Sequence, residues 1–154
     1  MAGSKVIPVG KKAADFMLKD QNNRDVKLSD YKGKKVILSF HPLAWTPICA
    51  AQMKSLEKNR KTFDKLNAIA FGISVDSVPS KAAWAKSLKL KNTQILADFW
   101  PHGKVAKSLG LLRSEGFSER ANIILDEKGR VIYEKVYPIK QVPPIEEIVA
   151  ALKS

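Results

Sequence analysis

The run Val36-Ile37-Leu38-Ser39-Phe40 constrains this chain most. It is too short for an independent helix and carries no charge and no strict polar alternation, so it reads as a buried strand. Ala68 to Val75 repeats the signal. Between the two runs lies a helical pattern that begins near Thr46 and places Cys49, Met53, Leu56 and Phe63 on one face. A strand, a helix and a second buried strand demand a sheet with helices packed against it.

The rest of the chain continues the alternation. Asp15 to Leu18 and Asp25 to Leu28 flank the Asn-rich turn Gln21-Asn22-Asn23-Arg24, which reads as a short hairpin. Tyr31 to Lys34 forms a loop into the first buried strand. Lys81 to Leu88 reads as a helix around Trp84, Gln94 to Ala97 as a short strand, and Gly103 to Leu109 as a helix stopped by Gly110. Ala121 to Leu125 and Val131 to Val136 flank Asp126-Glu127-Lys128-Gly129 as an antiparallel hairpin. Pro144 opens a last helix with Ile145, Ile148, Val149 and Leu152 on one face. This order predicts an α/β fold of thioredoxin-like type, a mixed central sheet flanked by helices with an N-terminal β-hairpin. A flavodoxin-like sheet is the alternative, and the late hairpin argues against its all-parallel order.

The 154 residues fit one domain over 1–154. Met1 to Gly10 lacks the apolar core of a secretory signal, and no apolar run approaches the roughly 20 residues of a membrane span. A single cysteine forbids a disulfide within the chain, so a cytoplasmic location is expected. The net charge of +12 raises the question of anionic partners. The lysines are scattered, however, and no arginine-rich or aromatic-interleaved motif accompanies them. Neither specific nucleic-acid binding nor membrane binding is expected.

Several chemistries are excluded by what the chain lacks. One cysteine with His41 and His102 far apart gives no metal-ligand spacing, and there is no glycine-rich phosphate loop or nucleophile elbow. No cofactor is expected. Cys49-Ala50-Ala51-Gln52 lacks the second thiol of a dithiol motif. What remains is a single thiol. Thr46-Pro47 reads as an N-cap and first helical residue, which makes Cys49 the third residue of its helix. The positive helix end favours thiolate over thiol there. A buried apolar cysteine on a helix face is the plainer reading of such a residue.

Pro42-x-x-x-Thr46-x-x-Cys49 after an apolar strand resembles the active-site signature of the peroxiredoxins. The resemblance extends through Phe16 to Asp20, Val26 to Lys34, Asp76-Ser77, Trp84-Ala85, Asp98-Phe99, Pro101-His102-Gly103 and Arg120-Ala121 with Ile124-Leu125-Asp126. It implies a thiol-dependent peroxidase that reduces hydrogen peroxide and organic hydroperoxides. Cys49 would attack the peroxide and become a sulfenic acid. Thr46 would cap the helix, accepting the Cys49 backbone N–H, and hold the peroxide. Arg120 would stabilise the thiolate and polarise the peroxide oxygen. Pro42 would shield the thiolate from water.

Supporting roles follow the same resemblance. Gln52 would help to hold the active-site loop, although its place on the helix alone describes a solvated polar residue. His41 would flank the pocket, and Trp45 would form pocket wall or a subunit contact. With no second cysteine, reduction must come from an external thiol or a redoxin protein. A homodimer is expected. The alternative is a non-catalytic redox sensor or interaction protein that uses the same thiol reversibly.

Overall fold

A computed structural model describes residues 5–154. Its elements run β1 (Met17–Asp20), β2 (Asp25–Lys27), a 3-10 turn (Leu28–Tyr31), β3 (Lys35–Phe40), α1 (Pro47–Lys58), α2 (Arg60–Lys65) and β4 (Ala68–Ser74). Then follow α3 (Val78–Ser87), β5 (Gln94–Ala97), α4 (Lys104–Ser108), β6 (Arg120–Leu125), β7 (Val131–Tyr137) and α5 (Ile145–Lys153). The seven strands form one mixed sheet in the order β2-β1-β5-β4-β3-β6-β7. β3 lies parallel to β4 and antiparallel to β6. The fold is thioredoxin-like, with β1 and β2 as the N-terminal hairpin.

Burial on both faces explains why β3 reads as an unbroken apolar run. Val36, Leu38 and Phe40 point into one core with Val105, Leu109 and Ile123. Ile37 points into the other, with Cys49, Met53, Leu56, Trp84 and Ile148. Alternation therefore puts Ser39 on the same side as α1.

Side-chain acceptors close the two hairpin turns. Asp20 Oδ1 accepts the N–H groups of Asn22 and Arg24, and Asn23 takes a left-handed conformation at φ 62°. Asp126 Oδ1 accepts from Lys128 and Arg130 in the same way.

Three helix boundaries differ from the sequence expectation. The helix expected to run to Phe63 is two helices, broken at Asn59. Asn59 Nδ2 donates to the Ser55 carbonyl at 2.8 Å and closes the last turn of α1. The apolar spacing continues across the break because α2 packs its Phe63 against the same core. The helix around Trp84 starts at Val78, since Ser77 caps it and Pro79 sits in its first turn. Gly103 stands outside α4 in a left-handed conformation at φ 63° and serves as its N-cap.

The stripe of α1 that faces the sheet is Cys49, Gln52, Met53 and Leu56, spaced i, i+3, i+4, i+7. Gly72 of β4 lets this helix settle closely. A Cβ at Gly72 would lie 2.2 Å from Met53 Sδ.

Among the described residues, no helix is long and apolar enough to cross a membrane, and no group of three or more His, Cys, Asp or Glu side chains could hold a metal ion.

Candidate active site around Cys49

The site forms where β3 ends. His41 and Pro42, both buried, turn the chain out of the sheet, and residues 43–46 lead into α1. Hydrogen bonds from four directions fix this loop. The His41 N–H donates to the Ile73 carbonyl, and Ser118 Oγ donates to the His41 carbonyl at 3.3 Å. The Ala44 N–H donates to Asp76 Oδ2 at 2.8 Å, and Trp45 Nε1 donates to Ser80 Oγ at 3.1 Å. Trp45 takes φ 70°, an unfavourable conformation for so large a side chain. The residue is 55% exposed.

Thr46 occupies the N-cap position with extended backbone, as its sequence context predicts, but it does not cap with its side chain. Its hydroxyl donates to the Leu43 carbonyl at 2.9 Å instead. The expected bond from the Cys49 N–H to the Thr46 side chain is therefore absent. The hydroxyl tightens the loop rather than the helix, and its lone pairs remain available as acceptors.

Cys49 is fully buried. Arg120 Nη1 lies 3.2 Å from its sulfur. The two residues meet because β6 runs antiparallel to β3 with Ala121 opposite Phe40, which sets position 120 beside the end of β3. Arg120 is 2% exposed, so its charge is only weakly screened. A cation fixed at this distance in a dry site faces the negative charge that develops as the sulfur reacts. The same Nη1 donates to Gln52 Oε1 at 2.9 Å, and Nε donates to the Ile139 carbonyl at 2.8 Å.

Gln52 is thus not a solvated helix residue. It is 3% exposed and links the guanidinium to the sheet, donating to Ser39 Oγ at 2.7 Å and to the Phe40 carbonyl at 3.0 Å. Ser39 Oγ in turn donates to Asn122 Oδ1 at 2.7 Å. Ser39 and Asn122 face each other in the β3–β6 register. Neither is apparent from sequence as a member of the site.

Direct contact joins Cys49, Arg120 and Gln52. Pro42, Thr46, Trp45 and His41 belong to the loop between β3 and α1. His41 is wholly buried, packs against the Trp84 ring at 5.2 Å, and brings Nε2 to 3.3 Å from Lys81 Nζ. Burial, and then the Lys81 charge, hold its imidazole well below its usual range. Lys81 is itself fully buried, and burial lowers it from the usual 10.5 to about 7. Sequence reasoning passed over Lys81 among many lysines. The available signal was its helical spacing, since Lys81 precedes Trp84 by three residues and Ala85 by four, on the buried side of α3.

The AhpC/TSA family model matches residues 9–134. The chain belongs to this family, the peroxiredoxins. Alkyl hydroperoxide reductase E of Mycobacterium tuberculosis is 34% identical over 133 residues, covering 85% of this chain and 86% of the relative. Peroxiredoxin 2 of Sulfurisphaera tokodaii is 34% identical and covers all of this chain and 75% of that protein. The reduced 2-Cys peroxiredoxin of Plasmodium vivax superposes with a TM-score of 0.86 at 28% identity, over 94% of this chain and 80% of that one. Peroxidoxin BcpB of Mycobacterium tuberculosis gives 0.83 at 26% identity, over 94% and 96%. Like other peroxiredoxins, the chain is a thiol-dependent peroxidase. Unlike a two-cysteine enzyme, its sequence holds only Cys49.

Proposed function

We propose that this peroxiredoxin works by a one-cysteine mechanism, reducing hydrogen peroxide and organic hydroperoxides at Cys49. The observation that carries this reading is the 3.2 Å approach of the buried Arg120 guanidinium to the Cys49 sulfur. The thiolate attacks the terminal peroxide oxygen. The O–O bond breaks, an S–OH bond forms, and water or an alcohol leaves after its oxygen gains a proton. Arg120 faces the developing negative charge and is already in place before reaction. The Thr46 hydroxyl, anchored to the Leu43 carbonyl, orients the peroxide, and the buried Pro42 limits water at the sulfur.

An external thiol resets the enzyme. Its first equivalent displaces water from the sulfenic acid to give a mixed disulfide, and its second releases Cys49 and the oxidised reductant. A lone thiol that must cycle this way suits a reducing compartment, and we place the protein in the cytoplasm. The exposed Leu43, Trp45, Phe99 and Trp100, the last 80% accessible, support a homodimer whose contact lies beside the active-site loop.

The deciding experiment combines turnover with intact mass. Reduced protein treated with one equivalent of peroxide gains one oxygen at Cys49, and a small thiol then sustains turnover. Turnover that persists in Cys49→Ser would overturn the assignment. Oxidation that occurs once and stalls with every thiol and redoxin donor would favour a redox sensor.

A further inference from the structure

A cavity of about 410 Å³ opens at the end of the sheet opposite Cys49. Val36 near the start of β3 and Leu125 at the end of β6 both line it, and the two are register partners. Cys49 follows the other end of β3. The strand rises about 13 Å from Val36 to Phe40, so the cavity is separate from the peroxide site.

Its floor is apolar. Ala13, Leu28, Val36 and Leu125 line it, and all four belong to the buried core on this side of the sheet. The Tyr31 ring stands beside them, held edge-to-face against Phe71 at 5.1 Å. Hydrogen bonds tie the surrounding segments to one another. The Gly33 N–H donates to the Glu127 carbonyl at 2.9 Å, the Ala13 N–H to the Gly129 carbonyl at 3.0 Å, and the Ser29 N–H to Asp15 Oδ1 at 2.9 Å. A site built before its ligand arrives spends little free energy on ordering.

Its rim is basic. Lys12, Lys32, Lys34 and Lys128 line the same cavity, and all four are exposed. None of them forms an ion pair among the described residues. The acids of the lining are Asp15 and Asp126, and each already commits Oδ1 to two backbone N–H groups. The lining therefore carries a net charge of +2. A concave surface with one dominant sign focuses its field on a ligand of the opposite sign. The volume falls within the roughly 300–1,000 Å³ of small-molecule sites. A neutral apolar ligand would leave the ammonium groups without a partner, and a bare inorganic anion would leave the apolar floor wet.

We propose that this cavity binds a small organic anion with an apolar body and a carboxylate head, of the medium-chain fatty-acid class. The body covers the floor and the head meets the lysines of the rim. Part of the net charge of +12 thereby gains an anionic partner. The inference is independent of the peroxidase reading, because no lining residue touches Cys49 or Arg120.

The test titrates decanoate, below its micelle-forming concentration, into the full-length isotope-labelled protein and follows its amide resonances. The expected result is saturable shifts at Ala13, Ser29, Gly33 and Gly129, with Ala50 and Gln52 beside Cys49 unmoved. The double variant Lys12→Glu/Lys128→Glu alters only exposed side chains. It weakens decanoate by about tenfold, the scale for reversing two charges near a carboxylate in a partly screened site. Decanol, which lacks the charge, and inorganic phosphate, which lacks the apolar body, do not saturate where decanoate does. Shifts confined to the exposed Phe99 and Trp100, or none that saturate at the four named amides, overturn the proposal. So does an affinity unchanged in the double variant or matched by either control.

Discussion

Arg120 divides one guanidinium among the Cys49 sulfur, the Gln52 amide oxygen and the Ile139 carbonyl. Only a planar, multiply protonated head can do so, because an ammonium is a single point charge on a flexible stem. Arg120→Lys therefore keeps the charge and loses the geometry. We expect peroxide-dependent oxidation of Cys49 to fall by about 10²-fold, the scale for losing one preorganised donor at a developing charge. Stopped-flow fluorescence of the oxidation step, with circular dichroism to confirm the fold, checks it, and a rate within twofold of wild type would contradict the assigned role. At this scale the sequence is legible unevenly. Cys49, Thr46 and Pro42 lie within eight residues, so their spacing is a local signal. Arg120 meets Cys49 only through sheet register, and its place was evident by family resemblance alone. Ser39, Asn122 and Lys81 carried no signal in their residue types. A serine within a strand and a lysine within a helix are ordinary, and only their burial makes them part of the site.

The element that delivers Cys49 is α1, and its seating depends on Gly72. Met53, one turn beyond Cys49 on the same stripe, is fully buried and fills the space where a side chain on Gly72 would go. Gly72→Val must push α1 away from β4 or force Met53 out of its rotamer. Overpacking of this kind costs about 1–3 kcal/mol. It also lengthens the 3.2 Å approach of Arg120 to the sulfur, so peroxide reactivity falls together with the denaturation midpoint. Combining Gly72→Ala with Met53→Ala recovers part of what Gly72→Ala alone loses, and a double-mutant cycle measures that coupling. Strictly additive effects would show that the two residues do not compete for space. Strand and helix types were readable along the chain because each rests on local periodicity. The break at Asn59 was hidden because Phe63 continues the apolar spacing of Cys49, Met53 and Leu56 into a second helix. The early start of α3 was readable in principle from Ser77 and Pro79, a cap and a first-turn proline.

For the molecule as a whole, a net charge of +12 opposes compaction, and burying Lys81 adds a cation where screening is weakest. The consequence is a defined dependence of stability on pH. His41 is held well below its usual 6.5, so the unfolded chain takes up a proton that the folded protein refuses, and stability falls as the pH drops below that value. Lys81 moves from the usual 10.5 to about 7, so between those values the unfolded chain holds a proton that the native state has lost. The unfolded state binds more protons there, and stability rises with pH by at most about 1.4 kcal/mol per pH unit from this group. Below about 7 both states keep the Lys81 proton, and its slope vanishes. Lys81→Met removes both the buried charge and the slope. Urea unfolding across the neutral-to-alkaline range is then expected to show the variant more stable than wild type at neutral pH, with the two curves converging as the pH approaches 10.5. Parallel curves over that window would mean that Lys81 does not change its protonation on folding.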